Sequence, residues 1–142
     1  MANSFTCNIV SAEDSIFSGT VEMVVAAGIM GDLGILPGHT PLLTELQPGP
    51  VRVIHDDGKE ENFFVSGGFM EVQPTVVTIL ADAATRASDL DEAAAEEARQ
   101  QALKAFNDKS SELDYTRAAA ELAEAVAQLR TIQQLRKKAG KG

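Results

Sequence analysis

Residues 31–49 read GDLGILPGHTPLLTELQPG, and this stretch decides the fold of the first part of the chain. Four glycines (Gly31, Gly34, Gly38, Gly49) and three prolines (Pro37, Pro41, Pro48) surround short apolar pairs. Proline removes a backbone donor and glycine weakens a helix, so the segment cannot be helical. It reads as tight turns joining short strands.

The same grammar runs outward over residues 1–87. Apolar and β-branched positions recur at Phe5, Cys7 and Ile9, at Val21, Met23 and Val25, at Val51 and Val53, and at Phe63 and Val65. Phe69 to Val72 and Val76 to Ile79 continue the series. Ser18-Gly19, Ser66-Gly67-Gly68 and Gln73-Pro74 punctuate it. Asp57-Gly58 predicts a hairpin, because a primed turn needs positive φ. Strands spaced about 8–12 residues apart predict an antiparallel β-sandwich or barrel rather than βαβ units.

Residues 88–142 are written differently. Residues 88–139 contain neither glycine nor proline. Asp89 and Glu92 have the spacing of a capping box, and Ala94, Ala98, Ala102, Leu103 and Phe106 follow at helical intervals. Asn107 to Ser111 breaks the pattern. Asp114 then reads as the cap of a second helix, with Leu122, Val126, Leu129, Ile132 and Leu135 on one stripe. Residues 115–138 would make a helix of roughly 36 Å. A short loop between two helices predicts an antiparallel hairpin. Its alanines allow close approach but bury little area, so the hairpin is marginal without docking. The fold class is therefore α+β, with a sandwich over 1–87 and a helical hairpin over 88–142.

The chain of 142 residues carries net charge −9 and is 44% hydrophobic, with no Trp. The core must rest on Val, Ile, Leu and Ala. An acidic surface repels phosphate backbones and argues against nucleic-acid binding. The charge is uneven, however. Residues 125–142 hold Arg130, Arg136, Lys137, Lys138 and Lys141 and no acid. Such an end answers the helix dipole and also suits an acidic partner surface. The single cysteine, Cys7, excludes an intramolecular disulfide, fits a reducing compartment and reads as a small buried hydrophobe. No run approaches the roughly 18 apolar residues of a membrane span. The opening MANSFTCNIVSAED lacks the basic region and apolar run of a secretory signal. The expectation is a soluble chain that reaches a membrane only through a partner.

No catalytic constellation appears. His39 and His55 are far from Cys7 and match no zinc spacing. Neither GxSxG nor HExxH is present. Gly28, Gly31 and Gly34 are not followed by Gly-Lys-Ser/Thr, so they read as turn glycines rather than a phosphate loop. His39, in Gly-His-Thr-Pro, reads as a hydrogen-bonded turn or contact residue. The expectation is a non-catalytic interaction protein with no metal or cofactor.

Three strings in order carry a further signal: GDLGILPGHTPLLTELQPG, then VSGGFMEVQPTVVTILAD over 65–82, then Leu90-Asp91-Glu92-Ala93 opening an alanine-rich helix. This pattern resembles the epsilon-subunit family of bacterial F-type ATP synthases, from Val10-Ser11-Ala12-Glu13 to Gln128-Leu129-Arg130. The resemblance implies a central-stalk rotor subunit that joins the gamma subunit to the c-ring. It implies a hairpin that can leave the sandwich and inhibit ATP hydrolysis in the catalytic head built from alpha and beta subunits. The expected location is the cytoplasmic face of the bacterial inner membrane, peripherally bound. By resemblance, Gly31, Asp32, Leu33 and His39 are rotor and c-ring contacts. Asp32 stands where the family often has Glu. Arg130, Arg136, Lys137 and Lys138 are the candidates for contact with the head. Some family members bind ATP through Ile/Leu-Asp-x-x-Arg-Ala. Here Leu90 to Ala95 puts Ala94 at the arginine position, so ATP binding is expected to be weak or absent. Two other classes compete: an enzyme domain completed by a partner, and a free-standing adaptor or chaperone gripping with its hairpin. A titratable cluster in a pocket would favour the first. Failure to co-purify with gamma and the head would favour the second.

Overall fold

The computed structural model describes residues 3–108 and 112–141. Its two compact units divide between Ser88 and Asp89.

The first unit holds eight strands: β1 (Phe5–Ser11), β2 (Ser15–Gly28), β3 (Gly31–Ile35), β4 (Leu42–His55), β5 (Glu60–Val65), β6 (Gly68–Val72), β7 (Val76–Ala81) and β8 (Ala84–Arg86). Their order is β3-β2-β1-β7-β6-β4-β5-β8, and β2 also pairs with β4. That extra pairing closes β2, β1, β7, β6 and β4 into a ring in which each strand has a neighbour on both sides. β3 extends the ring from β2, and β5 with β8 extends it from β4. All pairs are antiparallel except β1 with β7, which run parallel.

Alternation places Phe5, Cys7 and Ile9, Val51 and Val53, Phe63 and Val65, Met70 and Val72, and Val77 and Ile79 in one core. Phe63, Ile9, Ile35, Met70 and Ile79 are the largest fully buried side chains. Aliphatic residues thus make up most of the interior, with Phe5, Phe17 and Phe63 packed among them. Cys7 is fully buried among them. Desolvation pushes its thiol up to about 12. It is a core hydrophobe, not a nucleophile.

Residues 31–49 resolve into one turn between two strands and one unexpected continuity. The Leu36-Pro37-Gly38-His39 turn closes with the His39 amide donating to the Leu36 carbonyl at 3.3 Å. Proline second and Gly38 third, at φ +80°, give the type II pattern. Pro48-Gly49-Pro50, in contrast, does not end a strand; it lies inside β4. The first half of β4 pairs with β6 and the second with β5, so the prolines sit where one strand changes neighbours. The register with β2 shifts at the same place, between Ala26–Val51 and Gly28–Leu46. A bulge tolerates residues that cannot donate to a ladder. Gly68 marks another close crossing. A Cβ there would lie 2.1 Å from the Leu80 carbonyl oxygen, and its φ is +135°.

The second unit follows a 3-10 turn (Ala87–Asp89) and contains α1 (Glu92–Asp108) and α2 (Glu112–Lys141). Asp91, not Asp89, caps α1: its Oδ1 accepts from the Ala93 and Ala94 amides at 3.0 and 3.2 Å. The capping-box spacing from Asp89 fails because Asp89 belongs to the 3-10 turn. The second helix begins at Glu112, so Asp114 lies within it rather than capping it. Its 30 residues span roughly 45 Å, longer than expected, because nothing before Gly140 breaks the helix. Lys109 to Ser111, part of the expected break, lies outside the described residues, as does the Phe106 side chain.

The helix–helix seam differs from the expected stripe. Ala95 and Ala102 of α1 are buried, as are Ala118, Ala125 and Ile132 of α2. Each set repeats at seven residues, the interval that keeps one seam facing a partner helix. Ala94 and Ala98 are exposed. Leu122, Val126, Leu129 and Leu135 are only half-buried, flanking the seam.

Candidate functional site

β2 and β3 are joined by the two-residue loop Ile29-Met30, with Gly28 opposite Gly31, Ala27 opposite Asp32 and Ala26 opposite Leu33. The loop carries apolar side chains into solvent: Ile29 is 52% and Met30 95% exposed. The Ile29 amide donates to the Glu45 carbonyl at 3.2 Å, which anchors the loop beside β4. From Glu45 a ladder runs across the outer face of the ring. Glu45 faces Phe69, Phe69 faces Leu80, and Leu80 faces Val10. Phe69 and Leu80 are each 50% exposed, and Leu43 is more so. Large apolar groups left in water along one connected edge are the mark of an interaction surface.

The four contact residues taken from the sequence do not form one group. Gly31 and Asp32 are exposed at the start of β3, beside this surface. Leu33 is half-buried and packs on the core. His39 lies past the other end of β3, about 16 Å of strand away. Its ring stays local: Nδ1–H donates to the Thr40 carbonyl at 2.7 Å. A carbonyl can only accept, so Nδ1 carries the proton. The neighbouring Gly38 amide donates to Pro74 at 3.1 Å, so this loop belongs with the β6–β7 turn.

Ile29, Met30, Phe69 and Leu80 escaped the sequence reading, although a signal was present. Ile29-Met30 places apolar residues where a turn should be polar. Phe69-Met70 and Ile79-Leu80 put apolar residues on both faces of a strand, whereas a half-solvated strand alternates.

Several other charges of the first unit pair locally. Glu61 pairs with Arg86 at 3.1 Å and with His55 at 3.7 Å, and Arg52 pairs with Glu60 at 3.4 Å. Among the described residues no cluster of His, Cys, Asp or Glu could hold a metal ion. No helix among them is long and apolar enough to cross a membrane.

In the hairpin, a groove of about 410 Å³ is lined by Glu96, Arg99, Val126, Leu129, Arg130 and Gln133. Arg99 is already engaged: it donates to both oxygens of Glu96, at 3.1 and 2.5 Å. That hydrogen bonding, chiefly, holds the Glu96 carboxyl below its ordinary range. Arg130 and Lys137 are exposed. Arg136 reaches across to α1 and binds both oxygens of Glu92, with Nη1 to Oε1 at 3.2 Å. The Lys138 side chain lies outside the described residues.

This two-part architecture has counterparts. Residues 4–87 match the beta-sandwich domain of the ATP synthase delta/epsilon chain, and residues 88–133 match its long alpha-helix domain. The chain belongs to the ATP synthase delta/epsilon family. It is 74% identical over 135 residues to an ATP synthase epsilon chain of Chromohalobacter salexigens, covering 95% of this chain and 96% of that one. A family member of this kind is a structural and regulatory subunit, not a catalytic one. The fold also resembles a chain in the Euglena gracilis mitochondrial ATP synthase, seen with OSCP, F1 and the c-ring. There the TM-score is 0.82 at 21% identity, over 89% of this chain and 80% of that chain. A chain in the central stalk and c-ring assembly of Tetrahymena thermophila gives 0.61 at 11%, over 90% and 96%.

Proposed function

We propose that this epsilon-family chain is a rotor subunit of a proton-translocating F-type ATP synthase. Its sandwich seats on the gamma subunit and the c-ring, and its hairpin restrains ATP hydrolysis by the catalytic head. The observation that carries the reading is the exposed apolar edge of Ile29, Met30, Phe69 and Leu80 on a barrel whose core is otherwise closed. Such an edge is stabilised only when a partner covers it. Gly31 and Asp32 border it and complete the c-ring contact. Attachment through these partners would hold the chain peripherally at the cytoplasmic face of the bacterial inner membrane.

Arg130, Arg136, Lys137 and Lys138 form a basic end suited to acidic surfaces of the head. The hairpin itself binds ATP weakly or not at all. Ala94 offers no cation, Asp91 is spent on capping, and Arg99 is neutralised by Glu96.

The test is truncation after Ser88. The remaining sandwich should fold and co-purify with gamma, while ATP hydrolysis by the reconstituted head should rise. In the same assay Phe69→Asp should weaken co-purification. Unchanged hydrolysis after truncation would remove the regulatory role. Undiminished capture of the Asp variant would remove the apolar edge as the docking surface.

A further inference from the structure

Glu92 and Arg136 are 44 positions apart in the chain, yet they meet in a two-pronged ion pair. Glu92 opens α1 and Arg136 lies near the end of α2, so the pair clasps the open end of the hairpin, opposite its loop. Each charge also suits its own helix. A carboxylate at an N-terminus and a guanidinium near a C-terminus both complement the dipoles. Below the clasp the buried apolar residues are Ala95 and Ala102 of α1 and Ala118, Ala125 and Ile132 of α2. With modest apolar area between the helices, a polar tie at their open end adds a small increment that biases the opening equilibrium.

We propose that Glu92 and Arg136 form a latch that sets how often the hairpin opens. The inference rests on the regulatory reading above and deepens it. Pairing with Glu92 commits an N–H on each of Nη1 and Nη2 and offsets the charge of Arg136, so the closed hairpin presents a weaker cation to the catalytic head. Closed and inhibitory states therefore compete for one side chain. Releasing Arg136 makes it available to the head, and capturing it on Glu92 withdraws it. The latch is tuned to be weak. Both side chains are more than 40% exposed, at 65% and 46%. An exposed pair of good geometry shifts an equilibrium by about two- to fivefold, enough to bias a switch without locking it.

The test uses the full chain with nitroxide labels at two exposed helix positions, Ala98→Cys and Gln134→Cys; the buried Cys7 leaves labelling to these sites. Inter-label distances give the ratio of open to closed hairpin. Glu92→Gln and Arg136→Gln should each raise that ratio about two- to fivefold, and the double change should raise it no further. The exchange E92R/R136E should bring it back towards the starting value. In the reconstituted head, Glu92→Gln should strengthen inhibition, whereas Arg136→Gln should weaken it, since the latter removes the head contact as well. An unchanged ratio in both single variants, or additive effects in the double, would overturn the latch while leaving the truncation result standing. A raised ratio with no change in hydrolysis on truncation would instead keep the latch and overturn the regulatory reading.

Discussion

The alanine seam makes a prediction that separates two residues the sequence treats alike. Ala98 and Ala102 lie one helical turn apart in an alanine-rich helix. Ala102 is 1% exposed in the seam, whereas Ala98 faces water. Replacing Ala102 by Leu inserts a branched chain where two helices approach closely. Overpacking of this kind costs about 1–3 kcal/mol. The opposing term can be sized from the burial. Among the described residues, four fully buried seam alanines at about 0.8 kcal/mol per methyl contribute about 3 kcal/mol and Ile132 adds about 2 kcal/mol, with half-buried Leu122, Val126, Leu129 and Leu135 adding to this. One leucine at position 102 thus offsets a large part of what holds the hairpin shut. The open-to-closed ratio should rise by about 5- to 150-fold. Trypsin cleavage at Arg117 and Arg130 should accelerate in proportion, because proteolysis tracks the opened population when closing is fast. Ala98→Leu should leave cleavage within about twofold of the parent, since the two residues have similar helix propensity and the site is solvated. The melting transition of the sandwich should be unaffected by either change. Equal cleavage rates for the two variants would refute the assignment of the seam, as would a lowered sandwich transition in Ala102→Leu.

Two further outcomes follow from the structure. Burial raises the Cys7 thiol from 9.0 to about 12, so between these values the folded chain keeps a proton that the unfolded chain releases. Stability is then full below pH 9 and falls as pH rises above it, by about 2 kcal/mol between pH 9 and 10.5, and Cys7→Ala should lose this increment in urea unfolding; an identical alkaline slope in the variant would refute it. Isothermal titration of ATP into the full chain should give no saturable heat, and a micromolar affinity would show that Ala94 and the engaged Arg99 do not limit phosphate binding.

Much of the fold was legible because its causes are local. Glycine and proline in residues 31–49 exclude helix on steric grounds, and their absence from residues 88–139 permits it. Period-two burial along β1, β6 and β7 follows directly from which residues are apolar. The misreadings share one cause. Asp89 matches a capping box, but Asp91 holds the cap because the preceding 3-10 turn fixes where α1 begins. Pro48 and Pro50 announce a break, but β4 continues through them because two different partners take up its two halves. The candidate site was legible only in part. Asp32 lies beside the exposed apolar surface, His39 lies beyond the far end of β3, and Met30 carries no signal except an apolar residue in a turn.

By itself, then, the sequence determined two units of different class, a mainly aliphatic core, an acidic body with a basic end, and membership of a recognisable family. Those properties depend on residue type and short-range spacing. Only the tertiary structure decided which alanines form the seam, which glutamate captures Arg136, and that Ile29, Met30, Phe69 and Leu80 share one edge. Each of these depends on residues distant in sequence meeting in space. The pairings that bring them together are set by the closure of the barrel and by the antiparallel packing of the helices, and no local pattern encodes either.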